Sequence, residues 1–201
     1  RSHRWSREPS VNLAPDPREP FEWLISEATT DPVNRRFSSA TGRRYLEGFL
    51  GVAWTAPTRP LPPGPWETAL WNLQVNLDFV LWDRTIPLSI RLHAVDVLPA
   101  VLDIVGRAVP DSAALFMFWD GLIGGGQFAE AELRHAVVKA LTRQFASSNA
   151  ACREAAVRGI TELRDPQLVG LIEDAAADPN ISAEIRQLAA DALKESTTWR
   201  R

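Results

Sequence analysis

DPQLVGLIEDAAADPNISAEIRQLAADALKE, from Asp165 to Glu195, is the stretch that decides the fold. Asp165 suits a helix cap, and Pro166 suits the first helical position, where the missing N–H would have had no partner. Leu168, Leu171, Ile172 and Ala175 recur at helical spacing and predict a helix over 166–177. Asp178-Pro179 breaks the run. Ile185, Leu188, Ala189, Ala192 and Leu193 then restart the period in a second helix over 182–194. Two short amphipathic helices cannot bury all their apolar faces against each other, so further hairpins must cover this one.

Upstream sequence supplies them. Ile185-Arg186-x-x-Ala189-x-x-x-Leu193 matches Cys152-Arg153-x-x-Ala156-x-x-x-Ile160, which lies 33 residues earlier. Both match Ile90-Arg91-x-x-Ala94-x-x-x-Leu98, a further 62 residues back, close to two repeat lengths. An aspartate stands eight residues before the arginine in two copies, as Asp83 and Asp178, while the middle copy has Phe145 there. Helices are predicted over 128–146 and over 150–163, the latter capped by Asn149. Pro87 opens another, which runs to about Arg107 with Pro99 expected to kink it. The very apolar stretch 111–123 reads as one short helix ended by Gly124, Gly125 and Gly126. Residues 66–82 carry two apolar stripes, one through Leu70, Leu73 and Leu77 and one through Trp71, Val75, Phe79 and Trp82. That predicts a helix sandwiched between neighbours. No alternating strand pattern is present.

This pattern resembles the HEAT family and the related armadillo-like bacterial solenoids over about residues 66–195. The resemblance implies an all-α fold, a HEAT-like α-solenoid of antiparallel helix pairs. It also implies that Arg91, Arg153, Arg186, Asp83 and Asp178 are structural, tying neighbouring repeats together. The expected organisation is an extended arm over 1–20, N-terminal helices and a Pro-rich connector over 21–65, the repeat domain over 66–195 and a tail over 196–201. Trp5 is the one feature of the arm that suggests an anchor. The Arg35, Arg36, Arg43, Arg44 cluster reads as solvated or locally paired.

Composition limits the function. The chain has 201 residues and a formal charge of -3, and residues 110–195 carry 13 acidic against 8 basic side chains, the wrong sign for gripping phosphates. Nucleic acid is therefore not the expected partner. No apolar stretch approaches the ~20 residues of a membrane span. The single cysteine, Cys152, rules out an intrachain disulfide and falls in an apolar register, so it reads as a small buried hydrophobe. Twenty Arg against two Lys point by association to a bacterial source, and no signal-peptide pattern follows Arg1, so the cytoplasm is the expected compartment.

No constellation of catalytic, cofactor-binding or metal-ligating residues emerges. His93-x-x-Asp96 has the spacing of two ligands on one helical face, but the repeat alignment places His93 at an inward or boundary site, a packing position. His135 reads as solvated. Gly121 to Gly126 lacks the Lys and Ser or Thr of a phosphate loop. The expectation is a non-catalytic protein-binding module or scaffold, of immunity or complex-assembly type, working without a cofactor. Its partner surface is placed at Asp96, Arg158 and Asp191, which share one aligned position, together with Glu154, Glu162 and Gln187. Eight Trp support an interface, since exposed Trp is enriched at binding hot spots. The alternative is a DNA-repair enzyme resembling the HEAT-like alkylpurine DNA glycosylases, with Trp82-Asp83 and Trp119-Asp120 as the pairs that suit it. A weaker option is a small-molecule cleft in the Trp-rich first half.

Overall fold

A computed structural model describes residues 19–28, 39–55, 63–123 and 130–199. Trp5, most of the expected arm, Arg35, Arg36, the centre of the Pro-rich connector and Gly124–Gly126 lie outside the described residues. Every regular element among the described residues is helical. In chain order they are α1 (Pro20–Ala28), α2 (Ser39–Gly51), α3 (Pro63–Leu81), α4 (Leu88–Ala108), α5 (Ala113–Phe116), α6 (Phe118–Ile123), α7 (Ala131–Phe145), α8 (Ala150–Leu163), α9 (Val169–Ala177) and α10 (Ala183–Glu195). Tight 3-10 turns at Pro166–Leu168 and Ser196–Thr198 precede α9 and follow α10.

Side-chain caps set several of these boundaries. Asn149 accepts from the amides of Ala151 and Cys152, Asp165 from Gln167, and Ser182 from Ile185, so orphan N–H groups of the first turns are satisfied. Where the prolines fall explains one departure from expectation. Pro63 and Pro65 sit in the first turn of α3, so that helix starts inside the stretch read as a connector. Pro99 lies within α4, which continues to Ala108. The apolar run 111–123 is two helices, because the chain turns at Met117.

The packing pairs helices that are distant in sequence but point the same way. Near the start of α7, Glu130 receives both terminal nitrogens of Arg91 from the start of α4, each at 3.0 Å. At the far ends, Ser147 donates its hydroxyl to Asp103. α4 and α7 are therefore side by side and codirectional. α3 meets α5 and α6 the same way: Glu67 accepts from the Ser112 hydroxyl and the Ala114 amide, and the Gln74 amide donates to the carbonyls of Met117 and Phe118. α6 packs on α8, and α8 on α10. The Ser182 amide donates to Glu154 at the start of that last pair, and Arg164 lies 3.6 Å from Glu195 at its end.

This arrangement departs from the alignment of the sequence with itself. The sequence alignment made α4, α8 and α10 equivalent. In the structure α4 lies beside α2 and α7, whereas α8 lies between α6 and α10. The shared Arg-x-x-Ala pattern therefore marks any helix that needs a small residue at a close crossing. Ala94, Ala156 and Ala189 are all fully buried.

The Trp residues also redistribute. Trp23, Trp66, Trp119 and Trp199 are core residues, and Trp54 packs edge-on to Trp23 with ring centroids 6.1 Å apart. The second stripe of α3 is not enclosed as expected, since Trp71 and Phe79 are 37% and 55% exposed.

Candidate functional site

The α4–α7 seam gathers the chemistry. Codirectional packing places the outward positions of the two helices along one groove. A cavity of about 450 Å³ opens there, lined by Leu92, His93 and Asp96 from α4 and by Glu132, His135, Ala136 and Lys139 from α7. Leu92 and Ala136 are half-buried and form an apolar floor, while His93, Asp96, Glu132, His135 and Lys139 are exposed around it. Further along, Pro99, Asp103, Arg107, Arg143 and Ser147 line a second depression of about 300 Å³.

Partnering distinguishes the groups at the rim. Asp96 is neutralised by Arg143, whose Nη2 lies 2.8 Å from its Oδ1 and also donates to its backbone carbonyl. His93, Glu132, His135 and Lys139 have no side-chain hydrogen bond or ion pair with the described residues. The expectation that His93 holds an inward or boundary packing position is therefore corrected: α4 turns it to solvent at the rim of the seam with α7, although the aligned Ala155 of α8 is buried. His135 is solvated as expected. No three of the described His, Cys, Asp and Glu side chains converge closely enough to hold a metal ion.

A larger cavity of about 710 Å³, lined in part by Arg134, Arg164, Asp165 and Trp199, is less suited to a ligand. Arg134 donates to buried Asp165 at 2.7 Å and to the Leu163 carbonyl, and Asp165 also caps the Gln167 amide. Its charges are committed to holding the α8–α9 corner, where Arg164 takes the only left-handed non-glycine conformation among the described residues, with φ 50°.

The six residues expected to meet a partner do not share one groove. Asp96 faces α7. Glu154 and Arg158 serve internal contacts: Glu154 accepts the Ser182 amide, and Arg158 pairs with Asp120 and lies 4.8 Å from the Phe116 ring centroid. Glu162 is exposed on α8. Gln187 and Asp191 are exposed on α10, where the first donates to the second and Lys194 joins them, holding the Asp191 carboxyl below its ordinary range. Sequence reasoning missed Glu132, His135 and Lys139. Their signal was a polar face on α7 that needed only the identity of its neighbour to become half of a groove.

Four of the five residues implied to be structural make internal contacts, whereas the Arg186 side chain has no hydrogen bond or ion pair with the described residues and its buried Nε is unpartnered. Arg91 is buried and bonds Leu81, Ile86 and Glu130, and its hydrogen bonds hold the Glu130 carboxyl below its ordinary range. Asp83 and Asp178 accept from the amides two residues on. Arg153 donates to the Ser147 carbonyl. Burial pushes the Cys152 thiol up to about 12, with the Asp103 charge adding to it, so the sulfur stays protonated and donates to the Leu102 carbonyl.

In comparison with known proteins, the chain matches no family model, and neither a curated protein nor a solved structure matches it.

Proposed function

We propose that this chain is a HEAT-like stack of helix pairs acting as a non-catalytic module that binds a protein partner, in an immunity-type or complex-assembly role, in the bacterial cytoplasm. The observation that carries the reading is the α4–α7 groove, with an apolar floor and a polar rim on which His93, Glu132, His135 and Lys139 have no side-chain partner among the described residues. A protein ligand would cover the floor and satisfy the rim, the usual anatomy of a small interface. Support for the stack comes from codirectional neighbours, since successive helix pairs of a solenoid lie side by side in that sense. No helix among the described residues is long and apolar enough to cross a membrane.

The alternative of a DNA-repair enzyme draws no support from the aromatic–aspartate pairs that suggested it. Trp119 is fully buried and donates to Gln144, Asp120 is paired with Arg158, and Asp83 closes a turn with Thr85.

Affinity capture from bacterial extract, with wild type beside an Ala136→Arg variant that fills the groove, tests the reading. A partner retained by wild type and lost by the variant supports it. Capture of the same proteins by both, or a measured catalytic turnover on any substrate, would overturn it.

A further inference from the structure

Two charges of the groove are uncommitted, and their spacing is informative. Glu132 and Lys139 are seven residues apart on α7, which is two helical turns, about 10.5 Å along one face. That is too far for the two to pair directly. Asp96 and Arg143 neutralise each other alongside, so the field of the groove is that of one anion and one cation with the floor of Leu92 and Ala136 between them.

We propose that the groove receives an amphipathic helix of a protein partner that carries one basic and one acidic side chain seven residues apart, with an apolar residue three or four positions along between them. The basic side chain meets Glu132, the acidic one meets Lys139, and the apolar residue lies on Leu92 and Ala136. An i, i+7 pair on a helix reproduces the spacing of Glu132 and Lys139 because both are set by the same helical rise. An extended chain suits the groove less well, since its side chains on one face recur at about 6.7 and 13 Å. A helix also fits the furrow between two codirectional helices, where its ridge of side chains can seat. His93 and His135 flank this axis and can donate to or accept from the ligand's polar groups.

This inference rests on the protein-binding reading and names the ligand of the same groove. Its test uses Ala-rich helical peptides of about 20 residues, long enough to hold a helix in water. One carries Lys at i, Leu at i+3 and i+4 and Glu at i+7; the others carry Lys or Glu at both ends. Titration into the labelled full chain is followed through the imidazole resonances of His93 and His135. The mixed-charge peptide is expected to saturate, at least tenfold tighter than either like-charge peptide. Glu132→Lys is expected to weaken it at least tenfold and to bind the doubly acidic peptide instead. Equal binding of all three peptides, no saturation with any, or indifference to Glu132→Lys would overturn the inference. If Ala136→Arg abolishes capture of a partner that Glu132→Lys still retains, the groove binds protein by other chemistry; if no partner is captured, the broader reading fails whatever the peptides do.

Discussion

At the scale of single residues, the buried polar groups carry the sharpest consequences. Arg91 is only 3% exposed, and its charge is tolerable because Glu130 takes two of its N–H groups. Removing the acid leaves a buried cation with only carbonyl partners, so Glu130→Gln should cost about 3 kcal/mol by urea denaturation at pH 7. The pH dependence has a definite sign. The folded Glu130 carboxyl titrates below its ordinary 4.5, so its contribution is complete above that value and is lost as pH falls below it. The stability gap between wild type and Glu130→Gln should therefore close on acidification, and a gap that widens would contradict the pairing.

Asn76 is the opposite case. It is 1% exposed on α3, and neither its amide nitrogen nor its oxygen has a hydrogen-bond partner among the described residues. A buried amide with both ends unmet is costly, and an apolar residue of similar size relieves that cost. Asn76→Leu should raise stability by about 1–2 kcal/mol, visible as a higher urea midpoint. A lower midpoint would mean that the amide is satisfied in solution by internal water.

At the scale of elements, glycine records how closely helices approach. A Cβ on Gly159 would fall 2.6 Å from the Cβ of Trp119, where α8 crosses α6. A Cβ on Gly170 of α9 would meet nothing within 4 Å. Gly159→Ala should therefore destabilise by about 1–3 kcal/mol through overpacking against a rigid indole. Gly170→Ala should instead stabilise by about 0.5 kcal/mol through helix propensity. Thermal unfolding of the two variants side by side checks both signs; equal shifts would mean that the α6–α8 contact is looser than these distances.

The same elements show what a sequence can disclose. α8 ran from 150 to 163 as expected because Asn149 caps it and the apolar period is clean. The start of α3 is hidden in the Pro-rich stretch, because proline is compatible with a helix in the first turn and disfavoured beyond it. The neighbours of α4 were hidden for a deeper reason. Ile-Arg-x-x-Ala reports that a helix is packed closely, not against what, so α4 and α8 share a local pattern in different surroundings. The groove was illegible on the same ground. Asp96 was singled out, yet its importance depends on α7, and no spacing within α4 encodes that.

At the scale of the whole molecule, each helix packs on a few neighbours in space, and burial is uneven along the chain. α8 is enclosed by α6, α7 and α10 and buries residues on every side, including Cys152, Ala155, Ala156, Val157 and Ile160. α10 fully buries only Ile185 and Ala189, and α9 only Ile172 and Ala175. A structure held by nearest-neighbour interfaces opens from its least covered units, because undocking them leaves the remaining interfaces intact. Native-state hydrogen exchange should therefore find the amides of α9 and α10 opening together at a lower free energy than those of α4 and α8. The Arg164–Glu195 contact, exposed at both ends, adds little resistance. Only the face of α8 that meets α9 and α10 would be uncovered in that open state, so its exchange should show a denaturant dependence well below that of global unfolding. If α9 and α10 instead exchange only with α8, at the global free energy and with the full denaturant slope, the helices form one cooperative core, and the picture of separable neighbouring units is wrong.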